Sequence, residues 1–215
     1  MKERTAQLCS HFFNLHQDLI PFKSYILDIC ETLLKVYQKG GKVLICGNGG
    51  SCADADHIVG EQMKGFLLKR PLSKEIQDKF EQNYGAEGAA VAEKLQCGLP
   101  AVSLNAHAAL MSAFSNDVDP ELVYAQQVMG YAVEGDAVIG ISTSGNAANV
   151  AYALMAAKAA GAVSIALTGH DGGKIGKIAD YCFIAPEKET YRIQEYHLAT
   201  YHLICAYVES EIFSC

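Results

Sequence analysis

Apolar residues recur at helical spacing through the first forty positions. Ile26, Ile29, Leu33 and Val36 lie three and four apart, and Gly40-Gly41 ends the pattern. Pro21 falls inside this stretch, so a break or kink between two helices is predicted there. From Lys42 the pattern changes. KVLIC (42–46), AVSL (101–104), DAVIGIS (136–142), VSIAL (163–167) and YCFIA (181–185) are short, largely apolar runs separated by helical or loop sequence. Strands apolar on both faces that alternate with helices predict an α/β fold. Its core is an open parallel sheet of about five strands, with helices on both faces and right-handed crossovers.

The chain closes on a predicted helix from Arg192 to Phe213. Ile193, Tyr196, Leu203, Ile204, Tyr207 and Val208 give it a broad apolar surface. Together with the long N-terminal helical region (1–40), that width predicts burial on more than one side and an oligomer. Leu72 to Cys97 interrupts the alternation. It is polar and helix-prone, with Ile76, Phe80, Val91 and Leu95 as candidate anchors, and reads as a helical insertion on the surface. No linker separates these parts, so residues 1–215 read as a single domain.

Composition narrows the function. A net charge of −7 removes a general nucleic-acid surface from consideration. It leaves phosphate binding open, because backbone N–H groups bind anions without Lys or Arg. Eight cysteines (Cys9, Cys30, Cys46, Cys52, Cys97, Cys182, Cys205 and Cys215) form no CxxC pair, and most lie in apolar runs. Buried, reduced thiols are expected, not a disulfide framework or a zinc ribbon. KERTAQ after Met1 has no apolar signal core, and no run reaches membrane-spanning length. A soluble, cytoplasmic protein with no membrane partner is expected.

Ligands of open parallel sheets bind beyond the carboxyl ends of the strands. Three loops there carry chemistry: Gly47-Asn48-Gly49-Gly50-Ser51, Ser142-Thr143-Ser144-Gly145-Asn146, and Thr168-Gly169-His170-Asp171-Gly172-Gly173. The first lacks the dinucleotide fingerprint, since the third glycine falls at Cys52, and it lacks the Lys-Ser/Thr of a Walker A loop. Ser51 is placed to cap the following helix, with Asp54 completing a capping-box-like pair. Three hydroxyls and a glycine before a helix make Ser142–Gly145 a phosphate cradle. Each loop alone reads equally well as a tight turn.

His57 and Glu61 share a helix face at i,i+4, which is more often a solvated pair, but here the helix starts at a candidate ligand loop. Gln194, Glu195, His197 and His202 occupy the last helix. His197 reads as structural, as do His11, His16 and His107. Gln194 and His202 stand about 12 Å apart along that helix, at 1.5 Å per residue. One straight helix places both on one ion only with help from another element or subunit.

CGNGGSCADADH, LPAVSLN, the SND at 115–117, GDAVIGISTSGNAANV, ALTGHDGGK and RIQEYHLATYHLICAYVE run in order from Cys46 to Glu209. Together they resemble the sugar-isomerase (SIS) domain, and within it the phosphoheptose isomerases. The resemblance implies a flavodoxin-like sandwich and a homotetramer with active sites at subunit interfaces. It implies a sugar-phosphate substrate, sedoheptulose 7-phosphate, isomerised through an enediol as the first step toward nucleotide-activated heptose. It places the phosphate on Ser142, Thr143 and Ser144. It puts Asn48, Gly49, Gly50, Ser51, Asn116, Asp117 and Gln194 around the sugar. It makes Glu61 the base and His202 its acid/base partner. It also implies one zinc ion per subunit, held by His57, Glu61, Gln194 and His202.

Two positions depart from the family pattern. Ala147 replaces a serine after STSGN, and Gly65 replaces an arginine whose part Lys64, Lys69 or Arg70 is placed to take. The competing reading is a non-catalytic SIS tetramer, either replication-initiator-associating or sugar-phosphate-sensing. The initiator-associating relatives lack the glutamate and the last-helix histidine that this chain keeps. Isomerisation of another ketose phosphate is the third reading.

Overall fold

The computed structural model describes residues 1–213; Cys215 lies outside them. The chain begins with α1 (Glu3–Leu15) and α2 (Lys23–Gln38). A short 3₁₀ segment, Gln17–Phe22, joins them and carries Pro21, which is the expected break. Then follow β1 (Val43–Gly47), α3 (Gly50–Met63), α4 (Lys74–Lys94), β2 (Ala101–Ser103), α5 (Ala108–Asp117), α6 (Val123–Tyr131) and β3 (Ala137–Ser142). The remainder is α7 (Ala148–Ala159), β4 (Val163–Thr168), α8 (Ile175–Ile178), β5 (Tyr181–Ile184) and α9 (Thr190–Ile212).

All five strands are parallel, in the order β2-β1-β3-β4-β5. From β1 the chain crosses to β2 on one side, and β3 lies on the other. This reversal opens a crevice at the carboxyl ends of β1 and β3. Because successive side chains of a strand point to opposite faces, the sheet divides two cores. Val43, Ile45, Ile139, Ile165 and Phe183 pack with α1, α2, α3 and α9, where Cys205 is buried. Leu44, Cys46, Val138 and Ala166 pack with α6, α7 and α8. No helix among the described residues is long and apolar enough to cross a membrane.

The 72–97 segment is helical, but three of the four candidate anchors stay exposed, and only Phe80 is half-buried. Gly85 (φ +60°) breaks α4 into two arms that fold back on each other, with Gly88 against the Phe80 carbonyl. Ile76, Val91 and Leu95 are 40%, 43% and 44% exposed, so none is buried as a core anchor. The apolar spacing was too sparse to bury a face. The helix instead closes on itself through small residues, with Gly88 and Ala92 buried.

Candidate active site

Two loops and one side chain meet in the crevice. Asn48, Gly49, Gly50 and Ser51 face Ser142, Thr143 and Ser144 across it, and Ala147, Thr190 and Gln194 complete the lining. The N-termini of α3, α7 and α9 all open there. Three positive dipole ends therefore point at one space with no Lys or Arg in its lining, while the N–H groups of Ser51, Cys52 and Val150 are already paired within their own turns. Gly50 lacks a Cβ because Gln194 occupies that space. Gly145 (φ +65°) lies backbone-to-backbone against Gly172 and Gly173, and its carbonyl accepts from Ile175 N at 2.9 Å. The Ser142–Asn146 and Thr168–Gly173 loops are thus fixed to each other.

Ser51 is not the cap that its spacing suggested. Gly49, at φ +59°, takes the N-cap position of α3 and no side chain caps the helix. Ser51 lies buried in the first turn, and Asp54 turns toward Tyr201 instead. Glycine reaches the positive φ that this helix start requires, and the helix begins two residues earlier than a Ser51 cap allows.

A second polar cluster sits farther along. α3 and α9 run side by side in the same direction: Gly50 meets Gln194, His57 meets Tyr201 at 3.0 Å, and beyond them Glu61 and Gln62 are tied through Arg70 to Glu209. His57 Nε2 stands 3.4 Å from Glu61 Oε1, and the His57 and His202 rings meet edge-on at 5.0 Å. His202 Nε2 is buried with no hydrogen-bond partner. Burial lowers the His202 pKa, His57 lowers it further, and Glu61 opposes both. His202 is therefore held neutral, able to accept a proton or ligate a cation. From Gly50 to His57 is about 10 Å of helix, and to Glu61 about 16 Å. Gln194 thus stays with the anion cradle, and one chain does not bring it to His57, Glu61 and His202.

Lys64 Nζ lies 3.5 Å from Glu61 Oε2. Arg70 cannot take over the part of the family's arginine. Its side chain is fully buried against Glu209, and it donates to the carbonyls of Glu61 (3.1 Å) and Gln62 (2.6 Å) at the end of α3. Asn116 and Asp117 end α5, exposed, with Asn116 Nδ2 donating to Asp117 Oδ1 at 2.8 Å; they do not line the crevice within the chain. His197 is structural, its Nε2 2.9 Å from the Thr168 carbonyl at the end of β4. Four residues that the motifs did not single out complete the crevice and its rim. Asn48 and Asn149 exchange reciprocal amide hydrogen bonds of 2.9 Å. The Tyr124 hydroxyl sits 2.8 Å from Gly47 O and 2.6 Å from Asn105 Oδ1. Thr190 brings a hydroxyl to the start of α9.

The SIS domain profile matches residues 98–209. A phosphoheptose isomerase of Aneurinibacillus thermoaerophilus is 39% identical over 188 residues, covering 87% of this chain and 82% of that protein. The chain belongs to the phosphoheptose isomerase family of SIS-domain proteins. Another member, phosphoheptose isomerase 2 of Campylobacter jejuni, is 38% identical over 84% of this chain and 77% of its own length. The structure of phosphoheptose isomerase GmhA from Neisseria gonorrhoeae superposes with a TM-score of 0.72 at 31% identity, over 97% of this chain and 98% of the other. That of a Francisella tularensis phosphoheptose isomerase gives 0.70 at 25%, over 97% and 94%. This SIS-domain chain therefore carries the family's fold across nearly its whole length, including the N-terminal helices that the domain profile leaves out.

Among the described residues, no group of three or more His, Cys, Asp or Glu converges to hold a metal within one chain. His57, Glu61 and His202 nevertheless offer donor types that suit zinc, two imidazoles and a carboxylate, with His202 Nε2 buried and unpartnered, while Gln194 lies apart at the cradle.

Proposed function

We propose that the protein is a cytoplasmic isomerase of sedoheptulose 7-phosphate. It converts this ketose to D-glycero-D-manno-heptose 7-phosphate through an enediol, the first step toward nucleotide-activated heptose. The observation that carries the reading is a backbone-built anion cradle and a Glu61–His57–His202 cluster mounted on the same pair of parallel helices.

Ser142, Thr143 and Ser144 bind the phosphate with the helix N-termini behind them, while Asn48, Gly49, Gly50 and Ser51 hold the sugar. The Glu61 carboxylate takes the proton from C1 of the ketose, and the electron pair moves into the C1–C2 bond as the C2 oxygen gains charge. His202 carries a proton from the C1 oxygen to the C2 oxygen. Glu61 returns its proton to C2, leaving the aldehyde at C1. A zinc ion, when bound by His57, Glu61, Gln194 and His202, would polarise the carbonyl and stabilise the developing oxyanion.

The separation of Gln194 from His202 supports a homotetramer in which one copy's cradle meets another copy's reactive cluster. Asn116 and Asp117, exposed here, would then face the sugar from a neighbouring subunit. Retention of both Glu61 and His202 favours the enzyme over a non-catalytic SIS tetramer.

Incubation with sedoheptulose 7-phosphate in D₂O, followed by NMR, tests the reaction. Deuterium enters the carbon-bound position if Glu61 exchanges its proton with solvent. Parallel samples with chelator read the need for metal. Absence of both exchange and aldose product with this ketose, alongside turnover of a shorter ketose phosphate, would reassign the substrate. Absence with all of them would leave a binding protein.

A further inference from the structure

His57 is also tied through its other nitrogen. The Tyr201 hydroxyl lies 3.0 Å from His57 Nδ1 and 3.2 Å from Asp54 Oδ1. Tyr201 is only 2% exposed, and its ring meets the His57 and His202 rings edge-on at 5.5 and 5.0 Å. Asp54 precedes His57 by three residues on α3, so both reach the same side of the helix. Its Oδ2 is buried without a hydrogen-bond partner. A half-satisfied carboxylate costs folding free energy, and an apolar residue would serve packing better. A buried carboxylate oxygen left unpartnered at this contact points to a function.

Proton counting fixes the arrangement. A phenol has one proton, and an ionised carboxylate only accepts. The Tyr201 proton therefore goes to Asp54 Oδ1, and the Tyr201 oxygen accepts from His57 Nδ1–H. A neutral imidazole protonated at Nδ1 presents a bare lone pair at Nε2. That atom faces Glu61 Oε1 at 3.4 Å. The lone pair and the carboxylate together form one two-point acceptor.

We propose that Asp54 and Tyr201 are positioning residues: their hydrogen bonds orient the His57 ring and keep its proton on Nδ1, so that Nε2 and Glu61 jointly receive a proton or cation. The kinetic part of this proposal rests on the isomerase reading; the structural part does not. Tyr201 acts through His57 and touches no substrate.

The test uses the full chain, ¹⁵N-labelled and chelator-treated, with His57 assigned by comparison with His57→Gln. Long-range ¹H–¹⁵N spectra report which ring nitrogen carries the proton. The wild type is expected to show Nδ1–H. Tyr201→Phe keeps the ring but removes the hydroxyl, and should give mixed tautomers. Its kcat should fall about tenfold while KM stays within about twofold, as for loss of an outer partner of a site histidine. Asp54→Asn lets an amide donate to the phenol oxygen, which turns the phenol proton toward His57 and moves the imidazole proton to Nε2. If Tyr201→Phe does not fold, this second variant carries the same comparison. A wild-type His57 protonated at Nε2, or a folded variant with the wild-type spectrum, overturns the proposal. If the wild type turns over no sugar phosphate, the isomerase reading fails while the spectra still decide this one.

Discussion

Arg70 and Glu209 form an ion pair, Nε to Oε1 2.7 Å, in which neither side chain has any exposure to solvent. Glu209 also accepts from the backbone N–H groups of Phe66 (2.8 Å), Leu67 (2.7 Å) and Leu68 (3.1 Å). Arg70 fills the unpaired carbonyls at the end of α3 and lies over the Phe213 ring at 4.8 Å. The pair therefore fastens the exit of α3, and with it Glu61, to α9. Glu209→Gln leaves Arg70 buried without a counter-charge, at a cost of about 3–5 kcal/mol. The denaturation midpoint should drop accordingly, and a midpoint equal to the wild type's would show that the pair is not what holds this exit.

Glu61→Gln removes the carboxylate proposed as the base and keeps the shape. Turnover should fall by about 10²–10⁴-fold, the usual weight of general-base catalysis. Calorimetric titration with the sugar phosphate should still show binding, because the cradle lies more than two helical turns away. Normal turnover by this variant would sink the assignment.

Ala147 is the N-cap of α7 and supplies no capping hydrogen bond. Ala147→Ser should therefore stabilise the protein by about 1 kcal/mol, the typical worth of a serine cap. It also returns a hydroxyl to the cradle wall, so KM for the sugar phosphate should fall. Thermal unfolding and steady-state kinetics read the two effects separately, and a change in neither removes both roles from this position.

His197 links stability to pH. Burial lowers its pKa to about 4, although the hydrogen bond to Thr168 pulls the other way. Above the ordinary histidine value of 6.5 the ring is neutral in folded and unfolded states alike. As pH falls from there toward about 4, the unfolded chain takes up a proton that the folded chain refuses. Stability is lost at about 1.4 kcal/mol per pH unit, about 3 kcal/mol in all. His197→Gln should flatten the profile between pH 6.5 and 4; an unchanged slope in urea melts would contradict the assignment.

The sheet and its loops were legible because buried parallel strands leave unbroken apolar runs, and loops at their carboxyl ends need glycine and hydroxyls. What stayed hidden depends on pairing across distance. Arg70 reads as one basic residue in a polar stretch; only its contact with Glu209, 139 positions away, explains it. Tyr201 carried no signal of its own in the last helix, yet its hydroxyl joins His57 to Asp54. Asn105, Tyr124 and Asn149 stand on separate elements and form a network only once β1, β2 and β3 are side by side. Ser51 misled because a serine before a helix is a common cap, and only the backbone angle at Gly49 displaces it.

The two cores also carry their own reporters. Cys46 lies on one side of the sheet and Cys205 on the other, both fully buried, with thiols pushed up to about 12 by burial. At neutral pH neither forms the thiolate that alkylating reagents require. Labelling at each site therefore waits for its own face of the sheet to open, and the ratio of the two rates tells whether the faces separate together or in turn.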